Sequence, residues 1–274
     1  MPFLLEPDNY PSIRPLFGEM AYHLAVQLVL AGVLPGRIYV DDLDNPKSAV
    51  LIASNRHRVY VGGEPEPRLF SDVIQLLRKE FLPQSYRFVV HYTPRTWEQM
   101  LEQVLPEQAT IYAWRQFYRL KELSALVAGP LPENIVVGRI DEAIFGDASL
   151  VNRQLLLEEV HSESPSLEYF VRQNFGFWAQ DGHKLVGWCL AEYHYQGRYE
   201  LGIETIEAYQ RKGIATHLAS TVIRHAFARG ATEIGWHCWT TNIPSSATAL
   251  KLGFEKVLDY PVYSCSLSSG EASN

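Results

Sequence analysis

The sequence predicts an α+β or α/β protein of two domains with one topology, each a mixed, mostly antiparallel twisted sheet flanked by helices. Two observations carry this. The order meander, helix, strand, helix, strand is legible twice along the 274 residues, without evident identity between the halves. Between the two runs lies LVAGPLPEN (126–134), where Gly129, Pro130 and Pro132 stop regular structure. The domains are therefore expected at 1–128 and 129–274, long enough for each to close its own core.

In the first half, a largely apolar run from Ile13 to Leu34 predicts a helix. RIYVDD (37–42), SAVLIAS (48–54) and RVYVGG (58–63) predict three strands, being β-branched or aromatic with turn residues between them. RLFSDVIQLLRKEF (68–81) predicts a helix that puts Leu69, Val73, Leu76 and Leu77 on one face. A strand at 86–93, a helix at 95–105 and the strand ATIYAWRQFYRL (109–120) complete this half.

The second half opens with a strand at 135–140 and helices near 151–161 and 166–174. The strands FGFWAQ, KLVGWCLAEYHY and RYELGIETI follow. A helix from Gly213 to Arg229 places Ile214, Leu218, Val222 and Ala226 in one stripe, and Gly230 fits a C-terminal cap. TEIGWHCWT (232–240), a short helix (244–252) and GFEKVLDYPVYS (253–264) close the chain's regular structure.

Composition excludes several classes. A net charge of −7, from 24 Lys and Arg against 31 Asp and Glu, argues against nucleic acid as a partner, which would need a basic face. The three cysteines, Cys189, Cys238 and Cys265, are distant from one another and indicate neither a disulfide framework nor a metal site. Scattered histidines without partners at ligand spacing add no metal. The N-terminal MPFLLEPDNYPS lacks a basic leader segment, and the apolar run 21–35 is shorter than the roughly 20 residues that span a bilayer. No membrane partner and a cytoplasmic location are expected. The absence of G-x-S-x-G and HExxH motifs removes two hydrolase classes.

The segment EAYQRKGIATHL (207–218) carries the chemistry. A strand that enters a helix through a glycine-containing loop gathers unpaired N–H groups and the positive end of the helix dipole at one point, an anion site. Gly213 lets backbone approach a phosphate closely, small Ala215 does nearly the same, and Gln210, Arg211 and Lys212 add donors at the rim. The loop is neither a Walker loop nor a dinucleotide fingerprint. By itself the pattern is equally that of a plain turn.

With the preceding meander, the following helix and TNIPSSATALKLGF (241–254), the segment resembles the GNAT superfamily of N-acetyltransferases over about 134–265. That family's loop R/Q-x-x-G-x-G/A holds the pyrophosphate of acetyl-CoA, and a later N-x-x-A/S-(x)7-G-F lies beside the pantetheine arm. Asn242, Ser245, Gly253 and Phe254 stand at the latter positions. The resemblance implies acetyl-CoA as cosubstrate, with Arg211, Lys212, Gly213, Ile214, Ala215 and Thr216 around its pyrophosphate. It makes Glu204, Thr205 and Ile206 the backbone partners of the pantetheine, on a strand splayed from its neighbour. A backbone donor there would stabilise charge on the thioester oxygen.

Direct transfer also needs a neutral amine and a proton for the departing thiolate. The tyrosine that many family members place seven residues after the asparagine is Ala249 in this chain. Tyr260 and Tyr263 are the nearest substitutes, against the alternative that they simply pack. Glu200, Gly202 and Glu204 alternate onto one strand face, and Glu204 is the candidate base, with a solvated charge as the other reading. Glu200 reads as a solvated charge or structural ion pair. His237, on the strand face opposite Trp236 and Cys238, reads as a satisfied core histidine, and the aromatic strands as core or as walls of an acceptor pocket.

In the first half the corresponding connection is VGGEPEPRLF (61–70), whose prolines lack donors and whose acids repel phosphate. That half is expected to bind no acetyl-CoA and to shape the acceptor site or a homodimer interface. The function expected is acetyl transfer to a primary amine of a small molecule in a ternary complex. The alternatives are a non-catalytic acyl-CoA-binding module and an aminoacyl or long-chain acyl transferase with tandem domains.

Overall fold

The computed structural model describes residues 2–53, 58–81, 86–93, 95–105, 110–123 and 129–267. The chain divides into two compact units, Met1–Trp114 with Pro261–Asn274, and Arg115–Tyr260.

The first half of the chain contains β1 (Phe3–Leu4), a 3-10 segment (Pro7–Met20), α1 (Leu24–Leu30), β2 (Gly36–Val40), β3 (Ser48–Ala53), β4 (Arg58–Gly63) and α2 (Pro67–Phe81). β5 (Tyr86–Tyr92), α3 (Thr96–Val104) and β6 (Thr110–Leu120) complete it. The second half contains β7 (Ile135–Arg139), α4 (Glu142–Gly146), α5 (Arg153–Glu163), α6 (Leu167–Gln173), β8 (Phe175–Asp181) and β9 (Lys184–Tyr195). β10 (Arg198–Thr205), a 3-10 turn (Glu207–Tyr209), α7 (Ile214–Ala228), β11 (Glu233–Trp239), α8 (Ile243–Lys251) and β12 (Glu255–Leu267) follow.

Each unit has the expected mixed sheet. In the first, β1 to β4 pair antiparallel in sequence, β4 runs parallel to β5, and β5 pairs antiparallel with Val262–Leu267 of β12. In the second, β7 to β10 form the antiparallel meander, β10 runs parallel to β11, and β11 pairs antiparallel with Arg115–Leu120 of β6. The topology is the same twice, but the final strand is exchanged: β6 supplies the partner of β11, and β12 supplies that of β5. The units therefore differ from the spans 1–128 and 129–274, because each half's last strand finds its ladder in the other unit. Of the expected break, residues 124–128 lie outside the described residues.

The helix expected over 13–34 is two elements. Pro11 and Pro15 fall within its first part, which is 3-10 with a non-helical kink at Phe17, and His23 is extended ahead of α1. On α2, Leu69, Val73 and Leu77 are buried, whereas Leu76 is exposed. The stripe on α7 is as expected: Ile214, Leu218, Val222 and Ala226 pack with Ala219 and Ile223 against Ala191, Cys189, Leu201, Ile234 and Trp236 of the sheet. The opposite sheet face of this unit carries α4–α6, through Leu156, Val160 and Phe170 on Leu185, Trp188 and Leu190.

Candidate active site

The second unit's sheet opens at its centre. Parallel pairing of β10 with β11 runs from Arg198↔Glu233 to Leu201↔Trp236 and stops. Beyond it, Gly202–Thr205 pair only with β9, and His237–Trp239 only with β6. One edge of β10 thus runs past the end of its parallel ladder, as the resemblance implies for the strand carrying Glu204 and Thr205. Ile206 lies just past the strand end, its N–H bonded to Val186.

The loop to α7 sits at the end of this opening. Arg211 and Gly213 have left-handed backbones, φ 61 and 84, which turn the chain sharply into the helix. No side chain caps α7, and its first turn contains no acid. The first intrahelical bond runs from the His217 N–H to the Gly213 carbonyl, so the N–H groups of Ile214, Ala215 and Thr216 have no acceptor inside the helix. The side chains of Ile214 and Thr216 are buried, so both contribute backbone only. Arg211 and Lys212 are exposed, and Lys212 Nζ rests 4.6 Å from the Tyr209 ring centre. Tyr209 is held in turn by its hydroxyl donating to Asp181 at 2.9 Å. Hydrogen bonding from Asn134 first, and then from Tyr209, keeps the Asp181 carboxyl below the usual carboxylate range. A cradle of open amides with two cations at its rim and no internal anion suits a pyrophosphate.

Three residues of the sequence motif have structural partners. Gln210 Nε2 donates to the Thr205 carbonyl at 3.2 Å, which ties the loop back to the end of β10. Asn242 Oδ1 accepts from the Ser245 N–H at 3.1 Å as the N-cap of α8. Ser245 Oγ accepts from Trp236 Nε1 at 3.0 Å and pins that helix to β11. Ala249 is fully buried in the α7-side core, so the position where the resemblance leads one to expect a tyrosine packs inward.

On the other face of the opening stands a group of polar side chains that the sequence only partly announces. His237 Nδ1 is 2.8 Å from the Tyr260 hydroxyl, and its Nε2 is 3.5 Å from Glu200 Oε1. The His237 ring stacks on Phe117, with centroids 4.7 Å apart. Glu200 and Tyr260 are buried. A carboxylate, an imidazole and a phenol therefore lie together at the point where β10 and β11 part, the imidazole and phenol joined by a hydrogen bond. Glu200 and His237 were each readable as isolated residues. Their meeting depends on a parallel pairing between distant strands, while the alternation of 235, 237 and 239 opposite 198, 200 and 202 was the signal available. Tyr263 belongs to the first unit, where its hydroxyl donates to Glu102 Oε1 at 3.3 Å.

A second carboxylate was missed altogether. The β9–β10 register shifts between Glu200 and Leu201, leaving Glu192 as the extra residue of a bulge. Its carboxylate lies directly over Gly202, where an added Cβ would come within 1.5 Å of Glu192 Oε1. A side chain at 202 would therefore displace the Glu192 carboxylate, which is buried beside the opening. Glu204 shares that face and is exposed. Among the described residues no group of three or more His, Cys, Asp and Glu is placed to hold a metal ion, and no helix is long and apolar enough to cross a membrane.

The chain's likenesses to known proteins agree with this architecture. A family model for GNAT acetyltransferases matches residues 14–263, and the chain belongs to that family. It is 28% identical over 260 residues to an uncharacterised N-acetyltransferase, YdfB, of Bacillus subtilis (strain 168), covering 94% of this chain and 97% of that protein. A GCN5-related N-acetyltransferase-like protein from Streptococcus suis 89/1591 shares the fold at TM-score 0.74 and 20% identity, over 94% of this chain and 98% of the other. A tandem GNAT protein from the clavulanic acid biosynthesis pathway shares it at TM-score 0.64 and 10% identity over 100% of both chains.

Proposed function

We propose that the protein transfers the acetyl group of acetyl-CoA to a primary amine of a small molecule, in a ternary complex built on the second unit. The observation that carries this reading is the coincidence of two features. The β10–β11 ladder ends at Leu201↔Trp236, and the open amides of Ile214–Thr216 lie at the loop that follows the freed segment of β10.

In this reading the backbone of Arg211–Thr216 takes the pyrophosphate, with Arg211 and Lys212 adding charge. The edge of β10 from Gly202 to Ile206 takes the pantetheine as an added strand and supplies an N–H to the thioester oxygen. Gln210, Asn242 and Ser245 set the loop and α8 around it. Glu204 receives the proton of the incoming ammonium, directly or through water, and Glu192 strengthens the negative field that draws the cation in. The amine nitrogen then bonds to the acetyl carbon, the carbon–sulfur bond breaks, and the nitrogen gives up its second proton to water as the amide forms. Tyr260 gives its phenolic proton to the departing sulfur, and His237 and Glu200 position and reprotonate it. This assigns to β12 and β11 the task that Ala249 cannot perform.

The first unit supports a single cofactor site per chain. The Arg68 N–H at the start of α2 donates to Glu66 Oε1 at 3.0 Å, so this helix end already holds an anion of its own. Backbone of Leu16 and Lys47 abuts Gly62 and Gly63, where any Cβ would come within 2.4 and 2.0 Å of their carbonyl oxygens.

Release of free CoA thiol in the presence of an amine panel tests the transfer. Amine-dependent thiol release that is abolished in Tyr260→Phe and retained in Tyr263→Phe supports the assignment. Acetyl-CoA binding without release on any amine would make the protein an acyl-CoA-binding module, and preference for longer thioesters would make it another acyl transferase.

A further inference from the structure

We infer that Arg115 recognises a carboxylate on the acceptor, so that the molecule acetylated is an amino acid and not a simple amine. This deepens the proposed acetyl transfer and rests on it.

Arg115 pairs with Trp239 across the β6–β11 ladder, and its guanidinium lies 4.9 Å from the Trp239 ring centre. Strand alternation puts both on the sheet face of Phe117, His237, Glu200 and Glu204, away from the α7 loop. If the β10–β11 ladder continued past Leu201↔Trp236, Glu204 would stand opposite Trp239. At this level the face therefore reads Glu204, opening, Trp239, Arg115. A proton acceptor and a fixed cation flank the place where the two strands part.

The state of Arg115 is unusual for this face. Arg119 and Arg198, further along it, share Glu233 at 3.8 and 3.1 Å. Arg115 has no ion pair with any described residue, and its Nε is buried without a hydrogen-bond acceptor. An indole stacked on a guanidinium holds its plane but leaves its in-plane donors unused. A buried guanidinium N–H without an acceptor is costly unless a ligand supplies one. The planar fork of arginine matches a carboxylate with two parallel hydrogen bonds, and a flat acid seated there would lie in the plane set by Trp239. The cofactor's phosphates do not fill this role, because the proposed cradle is at the α7 end and Arg115 faces the other side of the sheet. With Glu204 across the opening, the complementary ligand is a zwitterion, its ammonium toward Glu204 and its carboxylate toward Arg115.

The test compares acids with their amides in the full-length protein. Alanine, β-alanine, γ-aminobutyrate and phenylalanine would be assayed against the corresponding carboxamides by thiol release, in wild type, Arg115→Gln and Arg115→Lys. The expected result is a preference of roughly tenfold or more in kcat/KM for at least one acid over its amide. Arg115→Gln should erase it through KM for the acid, with the amide unchanged, and Arg115→Lys should keep part of it. Equal rates on acid and amide in wild type, or a substitution that slows both equally, would overturn the inference while leaving acetyl transfer intact. No turnover on any acid, amide or simple amine with acetyl-CoA bound would overturn the transfer reading, and this inference with it.

Discussion

Arg211 is held in a left-handed backbone that costs an L-residue about 1–2 kcal/mol and that glycine adopts freely. Arg211→Gly should therefore leave thermal stability unchanged or slightly raised while weakening acetyl-CoA binding, a separation readable from melting curves and titration on one sample. Gly213 is a poorer target: its Cβ position is open, but its φ of 84 would strain any branched replacement, so loss of binding there would mix strain with lost contact. Glu204→Gln should lower kcat roughly a hundredfold or more with cofactor affinity kept. An undiminished rate there, with a loss in Glu192→Gln, would move the base to the bulge residue. Burial pushes the thiols of Cys189 and Cys238 up, and that of Cys265 up to about 12. Little thiolate then exists near neutral pH, so native protein should resist alkylation until unfolded. At this scale the loop residues were legible because a backbone anion site needs a glycine, small residues and a helix start, all local. Glu192 was not, since only a register shift turns it toward Gly202.

Among the elements, α7 was readable almost to the residue, because its apolar stripe repeats at helical spacing and Gly213 and Gly230 bound it. The span 13–34 was not, because apolar content outweighed Pro15, whose missing N–H breaks an α ladder and favours 3-10 turns. Leu76 shows the limit of face assignment on α2: it repeats with Val73 and Leu69 but turns to solvent. One element carries a pH signature. The His225 ring on α7 packs on Phe175 and Phe177, with centroids 4.6 and 5.6 Å away. Burial first, then the charges of Arg139 and Arg229, lower its pKa. Its folded pKa lies below the unfolded value of about 6.5, so the unfolded chain takes up the proton more readily as pH falls. Stability is complete above that value and declines below it. Between about pH 7.5 and 5 the Tm of wild type should fall further than that of His225→Gln. An identical fall in both would show that this ring does not drive the decline.

For the molecule as a whole, the twofold recurrence of one topology was visible in the sequence, but the exchange of β6 and β12 was not. Both are long, aromatic-rich strands following a helix, and nothing in either names a partner when pairing is remote in sequence. The exchange has a consequence. Residues 129–274 expressed alone would lack the β6 segment that pairs with β11 and would leave that edge bare beside the opening. This fragment should aggregate or melt well below the full chain, despite containing every residue of the proposed cofactor cradle. The central claim is that the second unit's opening, and it alone, takes acetyl-CoA. The most direct test is calorimetric titration of the full chain with acetyl-CoA, run beside Arg211→Gly. Binding is expected at one site per chain, weakened in the variant without loss of fold. Two sites per chain, or no binding by a folded protein, would contradict it.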